Sequence, residues 1–187
     1  MGSQIPAFQM NLPNALTLAR FVMVPIFMVV LLMNASWSTL AALILFLLAS
    51  LTDFLDGYFA RKLNQVTTFG KFVDPMADKL LMVAAWLAFI ETGDLSALAA
   101  MVLIGRELLV TGLRMLAASQ GKVISAGPLG KLKTVVHVIM VVIILGSHLV
   151  DVGNWMNVVK EGVIWLSVLI SFISGAHYFY KSKNLFS

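Results

Sequence analysis

Six apolar runs, each about as long as a bilayer is thick, constrain this chain more than any other feature. They fall near residues 12–33, 38–61, 71–91, 95–119, 130–149 and 155–181, separated by polar or turn-rich pieces such as "NASWS", "ETGD" and "QGKVISAGPLG". About 20 apolar residues in an α-helix cross the hydrocarbon core, and a helix satisfies its own backbone hydrogen bonds where no water can. The 187 residues hold six such spans with short connections and leave no room for a separate soluble domain. Composition agrees, because 60% of the residues are hydrophobic and 12% charged, against about a quarter charged in soluble domains. The expectation is an all-α integral membrane protein with six transmembrane helices, forming a single domain over residues 10–187. The opening "MGSQIPAFQ" lacks the basic and apolar regions of a cleaved signal and reads as a leader or disordered N-terminus, with Met10 as a natural start.

Six spans put both termini on one side, and the basic residues say which. Arg20, Arg61, Lys62, Lys71, Lys79, Arg106, Arg114, Lys122, Lys131, Lys133, Lys181 and Lys183 lie on that side or on helix halves leading to it, and Lys160 lies opposite. The positive-inside rule then places the termini and the 61–71 and 119–130 connections in the cytoplasm. Trp37 and Trp155 fall near the outer helix ends and Tyr58, Tyr178 and Tyr180 near the inner ones, where amphipathic rings settle at the interface, whereas Trp86 and Trp165 read as packing or lipid contacts. The chain has no cysteine, which excludes disulfides and thiolate metal sites, and its eleven methionines are scattered as packing residues. Membrane lipids are the expected surroundings, and no nucleic acid is expected as a partner.

Against this background, "LTDFLDGYFARKLNQVTTFGKFVDPMADKLL" carries four aspartates, Asp53, Asp56, Asp74 and Asp78. On helices, spacings of three and four residues put each pair of carboxylates on one face, and the short 62–70 link brings the two faces together. Each charge deep in a bilayer costs roughly 2.5–3.5 kcal/mol, less near the interface, so compensation is expected. One form of it is ion pairing with Arg61, Lys62, Lys71 and Lys79 at a solvated helix end. The other is chemical: carboxylates grouped without His or Cys suit hard divalent ions such as Mg²⁺ or Mn²⁺, and a pair of such ions clamps a diphosphate. Gly57 and Gly70 clear side chains from where a nucleotide would approach the backbone, although glycine also serves helix packing in membranes.

The full pattern, Asp53-x-x-Asp56-Gly57-x-x-Ala60-Arg61, eight residues, Gly70-x-x-x-Asp74-x-x-x-Asp78, resembles the signature of the CDP-alcohol phosphotransferase family at all eight fixed positions. The resemblance covers essentially the whole chain after Met10 and implies that family's fold: six membrane helices, a cytoplasmic active site and usually a homodimer. It implies that Asp53, Asp56 and Asp74 hold two metal ions, with Asp78 completing the metal set and acting as general base on the acceptor hydroxyl. Asp53, Gly57, Ala60, Arg61 and Gly70 would form the CDP site. The implied chemistry is attack of an alcohol on the β-phosphorus of CDP-diacylglycerol, with CMP leaving.

The acceptor alcohol must be read from other polar residues. In "IGRELLVTGLR", Glu107, Thr111 and Arg114 share a helical stripe, with Arg106 about 100° away. "GPLGKLKT" adds Lys131, Lys133 and Thr134 at the cytoplasmic start of helix five, so four basic groups can face one chamber that suits a phosphate. The competing reading pairs Arg106 with a carboxylate and gives the lysines to anionic lipid headgroups. A phosphorylated acceptor explains a positive chamber better than serine or choline, which leaves glycerol 3-phosphate and inositol phosphate. Together "NLPNALTLAR", "GRELLVTGLR" and "GKLKT" resemble the bacterial members of the family that use glycerol 3-phosphate, with "LPN" for the usual "IPN" and "GREL" for the usual "AREL"-like run. Asn14, Thr17 and Arg20 are further candidates from helix one, and His137 reads as a packed histidine. Transfer to inositol phosphate is the nearest alternative, a divalent-cation transporter is the alternative of a different class, and a non-catalytic interaction protein is the third.

Overall fold

The structure is a computed structural model that describes residues 12–62, 68–121, 127–150 and 153–183, with side chains described for all of these except 12–14, 53, 54, 56–62, 68–75 and 78. Six helices follow one another: α1 (Leu12–Leu32), α2 (Ser38–Lys62), α3 (Thr68–Glu91), α4 (Ala97–Ser119), α5 (Pro128–Ser147) and α6 (Trp155–Lys181). No strand occurs among the described residues. Three of the helices are long and apolar enough to cross a membrane by length and composition: α1 over Ala15–Leu32, α5 and α6. In α2 the apolar stretch is Ser38–Thr52, because the aspartate-bearing half follows it, and α4 carries Arg106, Glu107 and Arg114. The leader expected over residues 1–9 lies outside the described residues.

The helix ends show why boundaries drift from an apolar count. α5 begins at Pro128 rather than near residue 130, since proline's missing N–H and fixed φ cost nothing in a first turn. α4 begins at Ala97, after Ser96 takes the N-cap position and its hydroxyl accepts from Ala99 N at 3.2 Å. α3 closes at Gly93, which has a φ of +79° that favours glycine, with its N–H donating to the Ile90 carbonyl. Between α1 and α2, the Ser38 hydroxyl lies 2.8 Å from both the Met33 and Ala35 carbonyls, serving acceptors that the end of α1 leaves open.

The chain forms two compact units, one ending at Ala85 and the other beginning at Trp86. In the first, α1 packs on α2 through Val24, Phe27 and Leu31 against Ala42, Phe46 and Ala49, at the i, i+3, i+4 spacings that line one helix face. Phe27 and Phe46 meet with ring centroids 6.0 Å apart. The opposite faces present Val22, Ile26, Val29, Leu40 and Ile44 outward, the pattern of helices whose solvent is lipid.

In the second unit α6 packs on both α4 and α5. Trp86, Phe89, Leu103, Met140, Ile144 and Leu145 make the apolar core, and Ala88, Ala99 and Ala100 allow close approach of backbones. The face that α6 buries is unusual, because Ile164, Ser167, Ser171, Ser174 and Tyr178 recur at intervals of three and four while Leu166, Leu169, Phe172 and Ile173 point outward. Its serines and tyrosine make up the polar side of the unit's interior.

At the other end of this unit Asp94, in the α3–α4 turn, ties three elements together. Its Oδ2 lies 2.8 Å from both Thr92 Oγ1 and His148 Nε2, and its Oδ1 is 3.3 Å from Lys160 Nζ. The carboxylate is mostly buried and its partners come from the ends of α5 and α6, so removing it takes away the acceptor that His148 and Lys160 share. Asp94→Ala is expected to cost about 1–3 kcal/mol, read as a lower unfolding midpoint in detergent.

Candidate functional site

The eight signature positions fall on two helices. Asp53, Asp56, Gly57, Ala60 and Arg61 lie on α2, and Gly70, Asp74 and Asp78 lie on α3. Because both segments are helical, each pair of aspartate positions shares one face of its helix. Residues 63–67 join the two helices, so Lys62 and Thr68 can be no more than roughly 20 Å apart along the chain. The side chains of these eight positions lie outside the described residues. Their chemistry is an oxygen-only donor set with no His or Cys on either helix, which fits Mg²⁺ or Mn²⁺ and does not favour zinc. On α1, Thr17 and Arg20 are fully buried within the first unit, and the Asn14 side chain lies outside the description.

The residues expected to hold an acceptor are in the second unit, and the structure gathers three of the five. Arg106 and Glu107 are buried on α4. Arg106 Nη1 donates to Glu107 Oε1 at 2.8 Å and Nη2 donates to Ser174 Oγ at 2.7 Å. Lys133, from α5, donates to the same Glu107 oxygen. Two helical turns further along α4, Arg114 Nη2 donates to Tyr178 OH at 2.8 Å. Glu107 thus stands between Arg106 and Lys133, while Arg114 rests on a neutral phenol. Among the described residues, three cations and one carboxylate meet in this cluster, a formal +2.

The other two expected residues are placed differently. Lys131 lies on the exposed surface of α5, on a different face from Lys133. Thr111 donates its hydroxyl proton to the Glu107 carbonyl of its own helix at 2.6 Å. A hydroxyl has one proton, so in this rotamer Thr111 has none to give a phosphate. Arg106 Nε and Arg114 Nε are buried and have no hydrogen-bond partner among the described residues.

His137 is a packed histidine. Its Nε2 lies 2.8 Å from Ser171 Oγ and its ring meets Trp86 edge-on, with centroids 5.1 Å apart. Trp86 is fully buried and Trp165 is exposed on the outer face of α6.

A reading of charged residues missed Ser174 and Tyr178, which supply the neutral partners of the two arginines. The signal was present: serine at 167, 171 and 174 and tyrosine at 178 repeat at 4-3-4 on an otherwise apolar helix, the spacing of one inward stripe. Beside this stripe, a groove of about 400 Å³ runs between α4 and α6, lined by Met101, Gly105, Leu109, Phe172 and Phe179 with the Arg106 stem. Gly175 borders it; a Cβ there would meet Arg106 Cγ at 3.1 Å, so this glycine leaves the space in which the arginine stem lies along α6.

Residues 10–173 match the CDP-alcohol phosphatidyltransferase family. A Bacillus subtilis (strain 168) protein named CDP-diacylglycerol–glycerol-3-phosphate 3-phosphatidyltransferase is 42% identical over 186 residues, covering 93% of this chain and 95% of its own. A protein of the same name from Rickettsia typhi is 36% identical over 180 residues, covering 94% of this chain and 99% of its own. In Arabidopsis thaliana, a chloroplastic/mitochondrial protein of that name is 35% identical, covering 92% of this chain and 62% of its own. With the family matched across all six helices but the end of the last, and with relatives of one name similar over nearly their full length, this chain belongs to the CDP-alcohol phosphatidyltransferase family.

Proposed function

We propose that this membrane enzyme transfers the phosphatidyl group of CDP-diacylglycerol to glycerol 3-phosphate, releasing CMP and phosphatidylglycerophosphate. The cluster of buried Arg106 and half-buried Lys133 and Arg114, with Glu107 between the first two, carries the choice of acceptor. A phosphate monoester near neutral pH carries close to two negative charges, which matches the formal +2 of the cluster. The planar guanidinium forks supply directed donors. Glu107 keeps Arg106 and Lys133 compensated while no anion is bound, and an arriving phosphate competes with it for both. Serine brings no net charge to balance the cluster, and choline brings the wrong sign.

On the donor side, Gly57, Ala60 and Gly70 line the CDP site with small side chains, and Arg61 and Asp53 complete it. Asp53, Asp56, Asp74 and Asp78 hold two divalent ions, Mg²⁺ or Mn²⁺, which when bound neutralise the diphosphate and the charge left on CMP. Asp78 accepts the proton of the attacking acceptor hydroxyl. A new oxygen–phosphorus bond forms at the β-phosphorus as the bond to the CMP oxygen breaks, so the negative charge passes to the leaving group. The distribution of basic residues supports a bacterial cytoplasmic-membrane enzyme with both termini and the site facing the cytoplasm, and family resemblance supports a homodimer.

Purified protein with Mg²⁺ and CDP-diacylglycerol is expected to release CMP when given glycerol 3-phosphate, and far less with serine or inositol phosphate. Product with inositol phosphate alone would overturn the reading. Chelation should abolish turnover, and added Mg²⁺ or Mn²⁺ should restore it. Asp78→Asn should lower kcat about 10²–10⁴-fold, as expected for loss of a general base. Arg106→Gln should lower kcat/KM for glycerol 3-phosphate about 10–100-fold, by removing a charge-assisted bond, while leaving KM for CDP-diacylglycerol nearly unchanged. Since the native chain has no cysteine, single cysteines report its topology directly. Gln120→Cys should be shielded from an impermeant maleimide applied outside intact cells, and Asn157→Cys should react.

A further inference from the structure

Resting on the acceptor site above, we infer that Tyr178 is the positioning residue that aims the acceptor-binding arginines and sets their distance from helix α5. Four contacts converge on this one side chain. Its hydroxyl accepts from Arg114 Nη2 at 2.8 Å and from the backbone N–H of Gly127 at 3.2 Å. Its ring lies under two guanidinium groups, with the Cζ atoms of Arg114 and Arg106 at 5.3 and 5.7 Å from the ring centroid. Tyr178 is buried, so these contacts are screened little by solvent.

Each contact acts on a different part of the phosphate site. Two like-charged guanidinium groups repel one another, and the negative face of the ring is attracted to both, which offsets part of that repulsion. The hydroxyl selects one Arg114 rotamer among the many a long side chain can adopt. Gly127 is the N-cap of α5 and has no side chain to cap it, so the Tyr178 hydroxyl is a fixed point for the start of the helix that carries Lys133. A phosphate held by arginines from α4 and a lysine from α5 requires a constant separation between those helices. Tyr178 on α6 touches both. One turn earlier, Ser174 holds Arg106 Nη2, and Gly175 leaves room for the Arg106 stem. This edge of α6 therefore acts on the acceptor through other residues and does not itself contact the reacting atoms.

Tyr178→Phe separates this role from simple packing, since it keeps the ring and removes only the hydroxyl. In the full-length protein in detergent, KM for glycerol 3-phosphate should rise about tenfold, the scale of one hydrogen bond to a charged group. KM for CDP-diacylglycerol should stay near wild type. In an Arg114→Gln background the same change should raise the acceptor KM less than twofold, because the two side chains act as one unit. An unchanged acceptor KM in Tyr178→Phe, or equal rises in both KM values, would overturn the positioning role. If Arg106→Gln and Arg114→Gln raise the acceptor KM and Tyr178→Phe does not, the acceptor site stands and the role of Tyr178 falls. If neither arginine variant alters the acceptor KM, the acceptor reading falls and takes this inference with it.

Discussion

Glu107 is the group on which the polar half of this protein depends. A carboxylate in the interior of a helix bundle is tolerated only with partners, and here Arg106 from its own helix and Lys133 from α5 share one of its oxygens. That arrangement solves two problems at once. It compensates the buried Arg106 and the half-buried Lys133 together, and it holds a residue of α5 against a residue of α4. Removing either cation alone would leave the carboxylate poorly compensated, so charge number and helix placement are coupled.

The inward face of α6 follows from the same constraint. An apolar stripe would leave the guanidinium donors of α4 with nothing to bond, and buried unsatisfied donors are costly in a medium without water. Serines and a tyrosine solve this without adding charge. Ser174 accepts from Arg106, Ser171 pairs with His137 and Tyr178 accepts from Arg114, so the helix is polar inward and apolar outward. Because these partners are neutral, they satisfy the guanidinium donors without placing further negative charge beside them.

Much of the architecture was legible in the chain. The apolar runs located all six helices, because a lipid-facing helix is uniformly apolar over a length set by the bilayer and its ends are marked by polar turns. Their boundaries moved by two or three residues where local rules took over: Pro128 accepted into a first turn, Ser96 as a cap, and Thr68–Gly70 continuing α3 toward α2. The family signature was legible for a different reason, since carboxylates three and four residues apart are a local pattern. The basic cluster of α4 and α5 was legible in its charges and not in its partners. Lys131 and Lys133 are two residues apart, so a helix turns them about 200° from one another, and only the rotation of α5 about its axis decides which one faces Glu107.

By itself the sequence determined the class of protein, the helix count and the family signature, because each follows from composition or from spacing within one or two helices. Tertiary structure decided which cations are gathered, which carboxylate compensates them and which α6 side chains fix their aim. Those contacts join residues up to 68 positions apart, as in Arg106 and Ser174, and they depend on how helices rotate and pack against one another. No local pattern encodes that rotation; it is set by the combined requirement to bury small and polar faces inward and leave apolar faces to lipid.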